Sequence, residues 1–571
     1  MNIEIPQRSP RVFLSENFVV DNWEGIKPLL EDLANRELNN ADELRQWFKD
    51  RSELESVLSE DLAWRYIKMT CDTTDEKLKE SFNYFVGEIE PKIAPYADQL
   101  NKKALGSPYL SEVNQEGYNI LIRNMKKAVE IFREKNIAIQ AELSQTSNQY
   151  GAISGAMSID WEGQELTLQQ AAVKLQDTDR QTREKVYKSI GERRLEDKDK
   201  LDELFNKLIN LRNQLGTNAD FANYRDYMFA AMSRFDYTPA DCFDFHNSVR
   251  DNVVPILNEL SEKRKAELQL NQLRPWDKAV DTSGKPALEP FNSPEDLIEN
   301  TIECFRRLDP FLGQCLAIMN EMGHLDLDSR KGKAPGGYNY PLMEIGVPFI
   351  FMNATSTLRD LVTIVHEGGH AVHSFLTRDL ELSEFKSTPS EVAELASMSM
   401  ELLSMDHWDL FFDNEEDLRR AKKEHLEQII DTLPWVATID KFQHWIYENP
   451  GHSLEERKSA WNRIFDEFSD NVTDWEGFEA NKDYLWQKQL HLFEVPFYYI
   501  EYGMAQLGAI AIWKNYKEDP AKGLQGYLSA LKLGNLRTIP EVYEAANIKF
   551  DFSSDYINQL MSFVKDELKK L

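Results

Sequence analysis

Two histidines four residues apart, with a glutamate beside the first, stand in the run Asp360 to Leu376 (DLVTIVHEGGHAVHSFL) as His366-Glu367-Gly368-Gly369-His370. On a helix, positions i and i+4 lie one above the other on one face, so both imidazoles reach one metal ion. Glu367, one residue on, reaches a water in the metal's open coordination position. That arrangement suits zinc hydrolysis, in which the metal lowers the water's pKa and the carboxylate takes its proton. Leu361, Val362, Ile364, Val365, Ala371, Val372, Phe375 and Leu376 surround the motif at helical spacing. The segment is too apolar for a solvated face, and buried histidines need partners. Two adjacent glycines inside a helix cost about 1 kcal/mol each relative to alanine. That cost implies that a substrate or another backbone comes close.

A catalytic zinc takes a third protein ligand and keeps one position open. The position for a histidine six residues after His370 is Leu376, so a downstream carboxylate must serve: Glu381, Glu384, Glu391, Glu394 or Glu401. Thr388-Pro389-Ser390-Glu391 reads as a helix start, with Thr at the cap, Pro at the first helical position and Glu391 satisfying backbone N–H groups. Glu394 lies one turn deeper, among Val392, Leu395, Ala396 and Met398. A carboxylate on such a face is costly unless paired or metal-bound, which selects Glu394 as the ligand. Glu401, seven residues on, is either an acceptor for a ligand imidazole N–H or a structural ion-pair partner. His373 shares the His366 face and is either a substrate or outer-layer contact or a satisfied core histidine.

His491–Gly503 (HLFEVPFYYIEYG) is a second concentration of chemistry. Pro496 can open a helix on which Tyr498 or Tyr499 shares a face with Tyr502. Phenol O–H groups near a metal can donate to the oxyanion formed when water attacks an amide carbonyl, and His491 can do likewise. The competing reading is an aromatic stripe in a helix core.

These residues must be positioned by a largely helical chain. The first 145 residues read as amphipathic helices, among them Asp61–Thr70, Lys77–Ile89 and Ile120–Lys135, with breaks at Gly106-Ser107-Pro108 and within Tyr150–Gly155. Ser158–Leu166 alternates and turns at Glu162-Gly163 like a hairpin, and Thr167 with Gln170 has capping-box spacing. Helices follow from Leu168 to about Leu268, with further starts at Thr238-Pro239 and Ser293-Pro294; Trp276–Pro290 is a loop. Gly337–Met343 and Val347–Met352 read as an antiparallel pair turning at Glu344–Gly346, and Val347–Met352 offers an edge for an extended peptide. Thr357 and Asp360 start the metal helix.

At 571 residues, with 42% hydrophobic content, 30 Phe, 21 Tyr and 12 Trp, the chain is expected to fold into two or more lobes. MNIEIPQRSP has no signal-peptide pattern, and no apolar run spans a membrane. The four cysteines, Cys71, Cys242, Cys304 and Cys315, read as reduced, core-filling thiols of a cytosolic (cytoplasmic) protein, with no pattern assigning them to a metal. A net charge of −31 argues against a nucleic-acid partner, because binding its phosphates needs Lys and Arg clusters. It reads as solubilising charge on helix faces more readily than as steering of cationic substrates.

The residues quoted above resemble the M3 metallopeptidases. That family's H-E-x-G-H-x-x-H is matched by His366, Glu367, Gly369, His370 and His373, and its downstream Glu pair by Glu394 and Glu401. The wording PSEVAELASMSMELL is closest to the oligoendopeptidase F-like branch, related to thimet oligopeptidase and neurolysin. The resemblance covers about residues 200–560 and implies an N-terminal helical lobe region at 1–190 and a catalytic region at 191–571. It implies a mainly α, two-lobed fold with a deep channel, a small β-sheet beside the metal helix, and Zn2+ held by His366, His370 and Glu394. It makes Glu367 the general base and His491, Tyr499 and Tyr502 the transition-state donors. The interval from His491 to the first tyrosine is one residue shorter than in thimet oligopeptidase, which keeps Tyr498 beside Tyr499 as the counterpart. The implied activity is cleavage of internal bonds in short peptides, with no nucleic-acid or membrane partner. Its rivals are a carboxypeptidase or dipeptidase with the same motif, a non-catalytic peptide binder with structural zinc, and an acidic helical scaffold without metal.

Overall fold

The computed structural model describes residues 4–571. It is mainly α-helical, with 68% of the structure in helices and 4% in strands. The chain forms two compact units. The first gathers the chain up to Ile137 with Glu289–Arg419 and Ala505–Phe550; the second gathers Ala138–Leu288, Arg420–Met504 and Asp551–Leu571. Among the described residues no helix is long and apolar enough to cross a membrane.

In the first unit, the long helix Ala41–Cys71 opens on Asn40, whose side chain caps the Glu43 amide, and serves two cores. Its early turns bury Leu44, Trp47, Phe48 and Leu54 against Tyr118, Leu121 and Met125, with Leu382 and Phe385 closing the cluster. Its later turns bury Ala63 and Ile67 against Leu342, Phe349 and Phe351 of a small sheet. Each such apolar side chain contributes about 1.5–3 kcal/mol when fully withdrawn from water.

That sheet has three strands, Leu325–Asp328, Tyr338–Tyr340 and Phe349–Ala354. The expected antiparallel pair is present, with Tyr338 opposite Phe351 and Tyr340 opposite Phe349, and Gly346 takes the left-handed φ of 67° at the turn. Leu325–Asp328 pairs in parallel on the other side, a strand too short and polar to signal itself in the sequence. Phe349–Ala354 is therefore central, which corrects the reading of Val347–Met352 as an edge. The edge nearer the metal helix is Tyr338–Tyr340, where the Asn339 amide donates to the Glu367 carbonyl at 3.1 Å.

In the second unit, Ser158–Trp161 pairs with Gln164–Thr167. Glu162 and Gly163 both have positive φ, 56° and 83°, as a two-residue type I′ turn requires. The Thr167–Gln170 capping box forms as its spacing predicts. The stretch Tyr150–Gly155 is not a break: the helix Glu134–Gly155 runs through it and stops at its last glycine. A buried Asp277 accepts from Arg180 at 2.8 Å and from Arg183 at 2.9 Å, and so fixes the start of the Trp276–Pro290 loop.

Candidate active site

The metal-motif helix spans Leu358–Thr377 and starts at a capping box. Thr357 Oγ1 accepts from the Asp360 amide, while the Asp360 carboxylate accepts from the Thr357 amide at 2.9 Å and the Thr355 amide at 2.8 Å. Leu361, Ile364, Val365, Ala371 and Val372 are fully buried along it. The two glycines answer the question their cost raises. A Cβ on Gly369 would stand 2.6 Å from Ser397 Cα and 2.7 Å from the Ala396 carbonyl oxygen, and one on Gly368 would meet the Phe305 ring. Another helix backbone, not a substrate, comes close at Gly369.

That neighbouring helix is Ser390–Ser404. It starts one residue later than expected: Pro389 takes the cap position without a side-chain cap bond, and Glu391 is the second helical residue. Proline's fixed φ suits it to a helix entry, but it brings no side-chain acceptor. Every residue from Glu394 to Ser404 is buried, so the carboxylates of Glu394 and Glu401 sit where charge must be matched. Tyr527 holds this helix by donating to the Ala396 carbonyl at 2.8 Å.

Across the close approach, Glu394 Oε2 lies 3.4 Å from His366 Nε2 and 3.7 Å from His370 Nε2. Tetrahedral zinc with bonds of about 2.1 Å sets its donors about 3.4 Å apart, so the donor set fits that ion. Glu401 Oε1 lies 2.6 Å from His366 Nδ1. The Glu401 carboxylate accepts a hydrogen bond from Nδ1–H, which keeps the proton on Nδ1 and leaves Nε2 to ligate. Ser397 Oγ donates to Glu394 Oε2 at 3.1 Å and steadies that carboxylate. Burial works against charge on His366, but its contacts with Glu394 and Glu401 outweigh burial and hold it well above its ordinary value. Burial pushes His370 down to about 4 and Glu367 up to about 7.

The other candidates lie elsewhere. Glu381 pairs with Lys49 at 2.6 Å, and Glu384 accepts from Ser383 Oγ at 3.1 Å. His373 is buried and pushed down to about 3 by that burial, with the Leu531 backbone as its polar contact. Its Nε2 makes no hydrogen bond.

The second unit carries the aromatic group. His491 is ringed by Tyr498, Tyr499 and Tyr502 with centroids 6.2, 4.8 and 5.7 Å away, and His491 Nε2 lies 3.4 Å from the Tyr502 hydroxyl. Pro496 does not open a helix here; the helix begins at Ile500. Phe497 takes a left-handed φ of 69°, a strained choice for a bulky residue. Its N–H donates to Gln443 Oε1 at 2.6 Å, and buried Arg234 bonds both its carbonyl and Glu501. Arg212 likewise bonds the Leu492 and Phe493 carbonyls. Arg212 and Gln443, inside helices, and Arg234, in the connection between two helices, were missed in the sequence, where single polar residues carry no signal.

Tautomer is set here too. The Trp435 indole, a donor only, reaches Gln489 Oε1 at 2.9 Å, which turns the Gln489 amide nitrogen toward His491 Nδ1 at 2.7 Å. Nδ1 therefore accepts, and a neutral His491 carries its proton on Nε2, beside Tyr502.

Comparison with known proteins agrees with the family motif. The model of peptidase family M3 matches residues 173–562, and that of the M3 N-terminal domain matches residues 13–132. The chain is 23% identical over 356 residues to an oligoendopeptidase F homolog of Lactococcus lactis, covering 62% of this chain and 58% of that one. It is 22% identical over 371 residues to the oligopeptidase PepF of Bacillus subtilis, covering 60% and 52%. The chain thus spans less than two thirds of the length of these curated relatives. A solved structure of PZ peptidase A with an inhibitor superposes with a TM-score of 0.92 at 26% identity, over 97% of this chain and 99% of that one. The chain belongs to peptidase family M3. Within that family it is oligoendopeptidase F-like.

Proposed function

We propose that this protein is a zinc-dependent oligoendopeptidase that hydrolyses internal bonds of short, unstructured peptides in the cytoplasm. The observation that carries the proposal is the convergence of His366, His370 and Glu394 at zinc-donor spacing beside Glu367. Zinc bound there supplies Lewis acidity toward the scissile carbonyl and toward the water that attacks it. Glu401 orients His366 through Nδ1, and Ser397 steadies Glu394. The Glu367 carboxylate takes a proton from the attacking water and passes it to the leaving amine nitrogen. His491, with its Nε2 proton, and the hydroxyls of Tyr499 and Tyr502 are the proposed donors to the tetrahedral oxyanion; Tyr498 stands in the same cluster and is the alternative to Tyr499.

The outer strand Tyr338–Tyr340 supports an extended substrate held by strand addition, with the Asn339–Glu367 bond tying that strand to the helix of the base. The buried, base-like Glu367 favours catalysis over a structural zinc site, which has no use for it. The test is Glu367→Gln, which keeps the shape and removes the proton acceptor. Zinc content should stay at the wild-type level while peptide cleavage falls by several powers of ten. Cleavage near the wild-type rate would refute the mechanism, and loss of zinc would put Glu367 among the ligands.

A further inference from the structure

The second unit contains another set of metal-type donors, on two helices that each present a pair at i and i+4. Pro239–Asn252 carries Cys242 and His246, and Glu415–Glu448 carries Asp440 and His444. All four side chains are buried, none more than 1% exposed. One ligand atom each from Cys242, Asp440 and His444 lies within 4.8 Å of the other two.

The cluster is not satisfied as a hydrogen-bonded core. His246 Nε2 lies 2.8 Å from Asp440 Oδ2, and that contact is good. His444 Nε2 lies 3.2 Å from the same oxygen, within ion-pair range. Neither ring nitrogen of His444 makes a hydrogen bond, nor does Asp440 Oδ1. Leaving such groups unpaired in a dry interior costs about 1–3 kcal/mol each. Aromatic rings enclose the site: Phe243 lies 4.8 Å and Phe497 5.4 Å from His444.

We propose that Cys242, Asp440 and His444 form a second transition-metal site, for a zinc-class divalent ion, with His246 donating to the Asp440 ligand. Thiolate, imidazole and carboxylate together select this class of ion. Cys242 gives up its thiol proton on binding, so thiolate and carboxylate balance a 2+ charge that a dry site could not otherwise hold. Rotation of side chains closes the donor spacing to the about 3.5 Å of a tetrahedral site. The ion ties the two helices together directly behind Phe497, the left-handed residue that sets the course of the chain into Tyr498 and Tyr499. Because the donors are buried, the ion enters as the protein folds.

The test is the full-length protein produced in zinc-depleted, cobalt-supplemented medium. A thiolate-to-cobalt charge-transfer band in the near ultraviolet reports this site alone, because the His366–His370–Glu394 set has no sulfur. Wild type should bind about two cobalt ions per chain and show the band. Glu394→Ala should keep the band and lose one ion, which separates this site from the proposed catalytic one. Cys242→Ser should abolish the band, and His444→Asn should do so with the thiol intact. Wild type without the band, or a band that survives Cys242→Ser, would overturn the proposal.

Discussion

Glu401 lies 2.6 Å from His366 Nδ1, and this one contact fixes which nitrogen of the imidazole faces Glu394. Sequence spacing leaves Glu401 with two readings, and the contact favours the one in which it orients a ligand. Removing such a partner typically costs ten- to a hundredfold in metal affinity. Glu401→Gln should therefore lower zinc affinity by about that factor while leaving the fold intact, read by competition with a chelator. Wild-type affinity in the variant would make Glu401 a structural ion-pair partner only.

Gly369 tests how tightly the two helices must approach. An added methyl would press on Ser397 and Ala396, one turn from Glu394. Gly369→Ala should destabilise the protein by about 1–3 kcal/mol through overpacking, and should weaken zinc binding because the ligand-bearing helix shifts. Gly368→Ala meets the end of the buried Phe305 side chain rather than a backbone, and should cost less. Equal stability of both variants and wild type in urea would contradict this.

The proposed donors make a kinetic prediction. Tyr499→Phe or Tyr502→Phe should lower kcat by about a hundredfold with little change in KM, as a bond made mainly in the transition state requires. Gln489→Leu should lower kcat in the same direction by releasing the His491 tautomer. Unchanged turnover in both tyrosine variants would return the aromatic run to a packing role.

The metal motif, its helix start, the hairpin and the strand pair were legible because each is a local pattern: i,i+4 spacing, a capping box, a two-residue turn. Glu394 was legible because a lone carboxylate on an apolar face needs a partner. What the sequence concealed is non-local. Nothing in residues 347–352 says that Leu325–Asp328 will pair on their far side and turn an apparent edge into the central strand. Pro496 looks like a helix start because the Arg234 and Gln443 contacts that hold Phe497 in a left-handed turn are more than 50 residues away in the chain. The Gly369 cost pointed to a close neighbour without saying which.

Stability should depend on pH through Asp277. Burial disfavours its charge, but Arg180 and Arg183 outweigh that and hold it below the ordinary carboxylate value. A lowered native value contributes stability above the unfolded pKa of about 3.9 that is lost as pH falls through the native one. Asp277→Asn should cost about 3 kcal/mol at neutral pH by leaving Arg183 buried and uncompensated. The gap to wild type should close as pH falls below about 4, in paired urea titrations. A gap independent of pH would mean that shape, not charge, accounts for it.

The most direct test of the account is a map of cut bonds. A library of short peptides, half with C-terminal amides, is digested alongside a stable folded protein and read by mass spectrometry. An extended substrate paired to a strand edge must be unfolded, and unfolding a domain costs about 5–15 kcal/mol. Internal cleavage of short peptides, indifferent to the amide cap, with the folded protein intact, is the predicted result. Dependence on a free C-terminus, or cleavage of the folded protein, would contradict the oligoendopeptidase reading.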